Sequence, residues 1–486
     1  MKHLEDPTTF LSAVRGKLPL VLYELNEVPW RVIDWYAGVN PDSEIAALMG
    51  HATTFTTETR DKGELHPWTT WPSLHRGAYN TQHRIFFLNQ DRSCASGFPP
   101  VWEVAATAGL RVGVFGSLQS YPVPQGQQYA FYVPDTFAPR PETHPPRYSP
   151  FQRFNLRQTR ADGAVASDVK VDGAVLEDVI RLPGAGVTLR TFGALALHLL
   201  KEKLNPLHRV RRPLMQPLVG FDVFRDALRR YRPDFCTFFT NHVASVMHRY
   251  WKYTFPEDFG FVPSTRSDAF HSQNIRVAMD IADRQIGELR KHVDATGGQL
   301  VIASSMGQQA VERGEYKGEL RIDDVRAFAR AIGFSGSFKN HLAMQPDFNF
   351  EFDSAADTEE FCAKAARVVD TAGNSVWYRF RREGKTVNLG LLTPPDLLLR
   401  QALSESGASR DLPFDTSGVR VIQRDVGTGY HQPCGSLIWY QRDLVPSTVR
   451  SPVESAAVKQ MILEALGVGV SGVETNLLQT KVGVRS

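Results

Sequence analysis

Four short runs of apolar residues lie along the chain, at Leu18–Leu25, Arg111–Phe115, Phe235–Thr240 and Gln299–Ala303. Each run is continuous rather than alternating, which is typical of a strand that is buried on both faces of a sheet. Between the runs, apolar residues recur with helical spacing, as at Val101–Ala108 and Phe270–Val293. This alternation of strands and helices predicts an α/β fold with a mostly parallel central sheet and helices on both faces.

A later segment, Asp347–Leu392, has a different pattern. Three phenylalanines alternate with other residues from Phe348 to Phe352, a helical stretch covers Ala355–Val369, and two strand-like runs follow. This β-α-β-β order predicts a small α+β unit inserted before the last core segment. We therefore expect a core over residues 1–345, the inserted unit over residues 346–426 and a closing core segment over residues 427–486.

The composition is that of an ordinary globular protein. Of the 486 residues, 42% are hydrophobic and 22% are charged, which excludes disorder as the general state. The formal net charge is +3, so the chain lacks the concentrated positive charge of a nucleic-acid binder, and we expect no nucleic-acid partner. The four cysteines lie far apart in sequence and indicate free thiols in a reducing compartment.

The sequence contains no run of about 18 apolar residues, the length that a membrane span needs. The segment Met1–Lys17 carries Glu5, Asp6 and Arg15 and has no apolar stretch long enough for the core of a signal peptide. These features predict a cytoplasmic protein without a transmembrane segment.

The segment Lys201–Arg232 is locally basic and contains nine lysines and arginines. Such a segment is either a solvated helix face or a surface for a phosphate-rich or membrane partner.

The strongest local signal for chemistry is the stretch His66–Gly77. Within it, Thr70 and Pro72 predict the start of a helix, with Thr70 near the N-cap and Pro72 in the first turn. Proline is tolerated there because a backbone N–H in the first turn has no partner within the helix. A hydroxyl at such a position points into a field of free backbone N–H groups, which favours its deprotonation and the binding of phosphate or sulfate. Thr70 is therefore either a simple helix cap or a nucleophile.

Other polar groups follow the predicted strands. Asn26-Glu27 follows the first strand, Asn241-His242 follows a later one, and His431 precedes the apolar run Ser436–Trp439. Together with the Thr70 motif, this order resembles the alkaline phosphatase superfamily, in its type I phosphodiesterase and sulfatase-like branch. The resemblance covers nearly the whole chain outside the inserted unit, and it implies an alkaline-phosphatase-like fold.

The resemblance also implies roles for single residues. Thr70 matches the nucleophile, His248 matches a histidine that precedes an aromatic pair, and His431 matches the closing histidine of the site. The departures concern the acidic metal ligands. Asn26 stands where the family has the Asp of its Asp-Gly strand end, Ser304-Ser305-Met306-Gly307 stands where it has Ser-Asp-His-Gly, and Ala244 replaces another Asp.

Two divalent cations without nearby carboxylates are very costly to bury, so we do not expect the two-metal centre of the family. The cofactor is unknown from the sequence. Either one zinc-like ion is held by His248 and His431, with His242 as a further candidate, or these imidazoles bind the substrate directly.

Two further roles stay open. Glu24 interrupts an apolar strand and projects to the same side as Asn26. It is expected either to act as a general base for Thr70 or to pair with a buried cation. His242 is a third catalytic candidate, and we expect substrate contacts from the set Asn26, Asn241, His66 and Arg76.

The expected activity is hydrolysis or transfer of a phosphate or sulfate ester, by a hydrolase or transferase with an altered, metal-poor site. One alternative is a regulatory protein that only binds an anionic sugar, nucleotide or lipid headgroup. Another is the same fold with new chemistry on a carbohydrate or secondary metabolite. The expected partner is an anionic small molecule or a glycan- or lipid-linked substrate, and the sequence leaves the oligomeric state open.

Overall fold

The computed structural model describes Phe10, Val14 and residues 19–88, 90–124, 126–162, 173–312, 318–341, 343, 347–403, 409–422 and 427–469. Apart from Phe10 and Val14, the segment Met1–Lys17 lies outside the described residues, and so does the end of the predicted closing segment after residue 469. None of the helices in the described ranges is both long enough and apolar enough to span a bilayer.

The described strands are, in chain order, β1 (Leu20–Leu25), β2 (Thr53–Glu58), β3 (Val112–Phe115), β4 (Tyr129–Val133), β5 (Phe235–Thr240), β6 (Gln299–Ala303), β7 (Gly307–Ala310), β8 (Glu319–Ile322), β9 (Phe338–His341), β10 (Asp347–Phe352), β11 (Val368–Val369), β12 (Trp377–Glu383), β13 (Thr386–Leu391), β14 (Arg400–Ala402), β15 (Ser409–Asp411), β16 (Val419–Ile422), β17 (Gly429–Gln432), β18 (Leu437–Gln441) and β19 (Ser447–Glu454).

The described α-helices are Trp30–Val39, Glu44–Met49, Pro67–Arg76, Asn80–His83, Val101–Thr107, Ser149–Asp162, Gly173–Arg181, Leu189–Leu204, Gln216–Tyr231, His242–Thr254, Arg266–His271, Asn274–Thr296, Val325–Ala331, Ala355–Ala365, Phe414–Ser417 and Ala457–Ala465. The described 3-10 helices are Ser93–Ala95, Pro146–Tyr148, Leu182–Ala185, Pro206–Met215 and Pro256–Phe259.

The central sheet has eight strands in the order β19-β2-β18-β6-β1-β5-β3-β4. Every neighbouring pair is parallel except the two pairs that β18 forms with β2 and β6. The four apolar runs of the sequence are β1, β3, β5 and β6, and β1 lies between β5 and β6. The prediction of a mostly parallel sheet is confirmed, and the continuous apolar character of these strands follows from their burial on both faces.

Helices cover both faces of this sheet, as the sequence predicts. One hydrophobic core contains Val21, Tyr23 and Leu25 with the helices Gln216–Tyr231 and Asn274–Thr296. The core on the other face contains residues such as Leu20 and Leu22 with three helices, Pro67–Arg76, Val101–Thr107 and Ala457–Ala465. Alternate residues of β1 thus pack into opposite cores, as the two-residue period of a strand requires.

A second, antiparallel sheet has the order β12-β13-β10-β9 and belongs to the small α+β unit. Its phenylalanines Phe348, Phe350 and Phe352 lie in a separate hydrophobic core with Phe361 of the helix Ala355–Ala365. That core already includes Leu320, before the expected start of the unit at residue 346. The exact domain boundaries stay a prediction.

The carboxyl ends of parallel strands lie on one edge of a sheet, where polar groups of different strands meet. At this edge Asn26 follows β1, Asn241 follows β5 and Ser304 follows β6. We call it the carboxyl edge.

Candidate active site

The helix that carries Thr70 begins earlier than the sequence predicts. Its N-cap is His66 and its first residue is Pro67, so Thr70 is the fourth helical residue and donates its backbone N–H to the His66 carbonyl over 2.9 Å. The expectation that Thr70 lies near the N-cap is wrong, because the earlier Pro67 takes the first helical position, which suits proline. The interpretation of Thr70 as a helix cap is therefore excluded.

Pro72 lies inside this helix rather than in its first turn. A proline at this position leaves the carbonyl four residues earlier, that of Trp68, without its helical donor. The side-chain amide of Gln119 lies 3.5 Å from this carbonyl and donates to it. A residue outside the helix thus compensates for the proline.

The Thr70 hydroxyl is fully buried and forms a pair with another hydroxyl. Its Oγ1 lies 2.8 Å from Oγ of Ser305, which is also fully buried. Ser305 follows β6 and stands where the resembling family has an Asp. The next residue of the helix, Trp71, donates its indole N–H to Asn26 Oδ1 over 2.7 Å. These two contacts join the Thr70 helix to the ends of β6 and β1.

The amide of Asn26 links the ends of β1 and β5. Its Nδ2 donates to Asn241 Oδ1 over 2.6 Å and to Glu27 Oε1 over 2.9 Å. The predicted neighbours Asn26 and Asn241 therefore lie together at the carboxyl edge. Whether they contact a substrate stays a prediction.

Glu27 is the central residue that the sequence analysis missed. Its side chain is 2% exposed, and its Oε2 lies 3.1 Å from His248 Nε2 and 3.4 Å from His431 Nε2. Gln308 donates to the same oxygen over 2.5 Å. We call Glu27, His248 and His431 the Glu27 cluster. The family's acidic positions are neutral here, but the site still contains a carboxylate, one residue after Asn26.

The backbone explains how this carboxylate reaches the site. Glu27 has a φ of 61°, in the left-handed region that disfavours residues other than glycine. In the Asp-Gly strand end of the resembling family, glycine stands at this position. Such a conformation costs of the order of 1–2 kcal/mol and persists where surrounding contacts hold it, often at functional sites.

The Glu27 cluster is strongly coupled by charge. Burial alone would raise the pKa of Glu27, but His431 and His248 outweigh burial and hold this pKa well below its usual range. Burial likewise opposes the charge of His431, yet the Glu27 carboxylate raises the pKa of this imidazole above its ordinary value. The carboxylate is therefore ionised at neutral pH.

The hydrogen bond of His248 indicates what the cluster can hold. Its Nδ1 lies 2.9 Å from the Gly429 carbonyl, and only a protonated nitrogen can donate to that oxygen. In the neutral ring, Nε2 then presents its lone pair toward the carboxylate. The Nε2 lone pair and the carboxylate oxygen are both acceptors, so they need either a second proton on the ring or a cation between them. A histidine that donates its other N–H to a carbonyl is the usual arrangement at a metal.

The donor set also fits one divalent ion. The three ligand atoms lie within 4.8 Å of one another. The two oxygen-to-nitrogen separations, 3.1 and 3.4 Å, are close to the roughly 3.4 Å edge of a tetrahedron with metal–ligand bonds of about 2.1 Å. Two imidazoles and one carboxylate suit zinc and related ions.

His242 does not join this cluster. Its Nδ1 pairs with Thr240 Oγ1 at 2.6 Å and its Nε2 with the Ala278 carbonyl at 3.0 Å, so both ring nitrogens are engaged elsewhere. Burial lowers its pKa to about 4, which keeps the ring neutral. The ring is not one of the three ligands of the Glu27 cluster, and a catalytic role of His242 stays a prediction.

Arg76 is also a structural residue. Its guanidinium donates to the carbonyls of Phe98 and Ala95 over 2.6 and 3.3 Å, and the side chain is buried. Burial lowers its pKa to about 10. Both of these bonds come from Nη1, and a contact of Arg76 with an anionic substrate stays a prediction.

Two roles were open for Glu24, and its contacts in the structure are those of a buried carboxylate paired with a histidine. Glu24 Oε1 lies 2.7 Å from His75 Nε2 and accepts from Ser117 over 3.1 Å. Glu24 and His75 are at most 1% exposed. The carboxylate is directed at His75, and a role as general base for Thr70 stays a prediction.

The pair predicts a specific stability result. Replacing His75 with alanine is expected to lower the free energy of unfolding by about 3 kcal/mol, because it leaves the Glu24 carboxylate buried without its imidazole. The double variant Glu24→Leu/His75→Leu removes both polar groups and is expected to be more stable than His75→Ala. Urea denaturation monitored by circular dichroism measures both. Equal stability of the double and single variants would contradict the pairing role.

His66 lies at a junction between the core and the inserted unit. Its ring stacks on Trp68 with centroids 4.3 Å apart, and its Nε2 lies 2.6 Å from an Arg379 nitrogen of β12. Arg379 also forms an ion pair of 2.9 Å with Glu64, which accepts from the Tyr430 hydroxyl. Burial lowers the pKa of His66, so the neutral ring can accept from Arg379. A substrate contact by His66 stays a prediction.

No protein-family model matches this sequence, and no curated protein matches it. Among solved structures, the chain is similar to phosphonoacetate hydrolase from Sinorhizobium meliloti 1021, with 12% identity over 93% of this chain and 96% of the other, at a TM-score of 0.41. It is also similar to murine ectonucleotide pyrophosphatase/phosphodiesterase 5, with 9% identity over 93% and 95% of the two chains and a TM-score of 0.41.

Proposed function

We propose that this protein is an enzyme that hydrolyses or transfers a phosphate or sulfate ester, with the Glu27 cluster as a centre for one divalent cation. The observation that carries the proposal is the convergence of Glu27, His248 and His431 at the carboxyl edge, where Ser305 also pairs with the buried Thr70 hydroxyl. The bonds from Trp71 to Asn26 and from Asn26 to Glu27 connect the two groups of residues.

The chain's own residues have distinct roles in this proposal. Thr70 attacks or contacts the ester, and Ser305 orients its hydroxyl over the 2.8 Å that separates the two oxygens. Asn26 and Asn241 hold the ends of β1 and β5 in place through their 2.6 Å bond. A bound divalent cation would offset the negative charge of a phosphate or sulfate group and lower the pKa of a hydroxyl or water that it binds.

The residues of this site differ in their exposure to solvent. The side chain of His248 is 32% exposed, whereas Thr70 and Ser305 are fully buried. An anion can therefore approach the Glu27 cluster from the side of His248, but it reaches Thr70 only after the surrounding side chains rearrange. The burial of Thr70 keeps water from competing with a positioned nucleophile.

The complete burial of Thr70 also favours a second candidate. A protein that has lost catalysis but keeps the pocket would bind an anionic sugar, nucleotide or lipid headgroup at the Glu27 cluster and leave the threonine closed. Such a protein would be stabilised by its ligand without converting it.

Metal analysis and an ester panel test the proposal together. Protein purified without chelator is expected to contain about one divalent ion per chain, because the Glu27 cluster offers one set of three ligands. The same preparation is assayed with phosphomonoesters, phosphodiesters and sulfate esters, and the thermal midpoint is recorded with each compound.

The outcomes separate the two candidates. Conversion of at least one ester that stops after chelation and returns with zinc supports the enzyme. A rise in thermal midpoint with an anion, without any conversion, supports the binding protein. A chain that contains no metal, takes up none from solution and converts no ester would contradict the proposed cation centre.

A further inference from the structure

The helix Leu189–Leu204 has an apolar face that points to solvent. On this 16-residue helix, Leu189 is 87% exposed, Leu197 and Leu200 are each 52% exposed, and Leu204 is 77% exposed. We call these four residues the leucine face. Scattered single leucines are normal on a protein surface, but a row of them along one helix marks a surface that binds something.

Helical geometry places the four leucines together. Leu197, Leu200 and Leu204 are spaced by three and four residues, so their side chains are neighbours on one side of the helix. The opposite side contains Thr191, His198 and Glu202, which are buried against the rest of the protein. The partly buried Phe192 and Leu195 of this helix also pack against the core. The helix is therefore held to the protein on its inward side and presents a row of leucines to solvent on its outward side.

The charges beside the leucine face have one sign. Arg190, Lys201 and Lys203 of the same helix are exposed. Glu202, the carboxylate of this helix, is buried and pairs with His198 at 2.9 Å and with Arg212 at 2.5 Å. An apolar row with cations on its flanks is complementary to a lipid surface with anionic headgroups, where leucines enter the acyl boundary and cations meet phosphates.

We propose that the leucine face docks this protein on a membrane surface that contains anionic lipids, with the helix lying in the plane of the interface. A second copy of the chain is a poorer occupant. In a two-fold dimer the same patch meets itself, which would bring the lysines and arginines of both copies close together. The inference goes beyond the proposed function and depends on none of its residues.

Vesicle co-sedimentation of the full chain tests the proposal. The protein is expected to bind vesicles of phosphatidylcholine mixed with phosphatidylglycerol more tightly than vesicles of phosphatidylcholine alone, and added salt is expected to weaken binding. The variant Leu197→Glu/Leu200→Glu is expected to lose at least about tenfold in vesicle affinity, because each leucine contributes by burial in the lipid. The variant Lys201→Glu/Lys203→Glu should weaken binding only to the anionic vesicles.

A matched control comes from another exposed apolar residue. Val262 is 78% exposed and lies outside this helix, so Val262→Glu should keep wild-type vesicle affinity. Circular dichroism checks that each variant stays folded, which the exposure of the replaced residues favours. Equal binding to both vesicle types, or binding to neither, would overturn the proposal. A third outcome would also overturn it: the wild type is a dimer in analytical ultracentrifugation, and the double leucine variant is a monomer with unchanged vesicle affinity.

Discussion

The variant Glu27→Gln is expected to lose the divalent cation that we propose for the Glu27 cluster, and to lower turnover of an accepted ester by about 100-fold or more. Glutamine keeps the size of the side chain but removes the negative charge that faces His248 and His431. The two imidazoles alone offer a neutral site with one ligand fewer. Metal content of the purified variant and kcat/KM with and without added zinc measure the two effects.

The chain offers a close control for this experiment. Glu24 is also a buried carboxylate on β1, but its partner is His75 rather than the Glu27 cluster. Glu24→Gln is expected to lower stability and to keep the metal. If both variants retain the same metal content as the wild type, the Glu27 cluster is an ion pair and not a cation centre.

The continuous apolar runs predict four of the eight strands of the central sheet. The runs that form β1, β3, β5 and β6 are continuous because both of their faces are covered, and no other common element has four to eight apolar residues between polar ends. The prediction for the Thr70 helix failed at its start, since both Pro67 and Pro72 are acceptable first-turn residues. Only the contact of Gln119 with the Trp68 carbonyl shows how Pro72 is accommodated further inside.

The candidate site could be predicted where it depends on strand ends. Asn26 and Asn241 meet because β1 and β5 are adjacent and parallel, which follows from the fold class. His248 and His431 come together as the resemblance implies, although 182 positions separate them. The carboxylate between them was missed because its position depends on the left-handed backbone at Glu27.

Other roles depended on contacts that no local pattern contains. His242 follows β5 directly, as a catalytic residue would, but Thr240 and Ala278 satisfy both of its nitrogens. From the sequence, Glu24 could act as a base for a nucleophile or pair with a buried cation. Its contact with His75 is known only because the structure places β1 against the helix Pro67–Arg76. A sequence shows which residues are costly to bury, whereas the partner that offsets the cost is known only from the structure.

The variant Thr70→Ala is expected to lower kcat by roughly 10³-fold while the protein keeps its metal, because the hydroxyl is the group that would bond to the transferred phosphoryl or sulfuryl group. Loss of the 2.8 Å contact also leaves the Ser305 hydroxyl without this partner, which should cost about 1–2 kcal/mol of stability. Thr70→Ser keeps an oxygen in place and should retain most of the activity. The neighbouring Thr69→Ala is the matched control, since Thr69 is a buried threonine of the same helix.

Kinetics and mass spectrometry distinguish the two roles of Thr70. A nucleophile would carry a covalent phosphoryl or sulfuryl group during turnover, which peptide mass spectrometry of a rapidly quenched reaction would locate on Thr70. A residue that only contacts the substrate would raise KM when removed and leave kcat nearly unchanged. Full retention of kcat/KM in Thr70→Ala would remove both roles, and the chemistry would then have to proceed at the Glu27 cluster, on the side where His248 faces solvent.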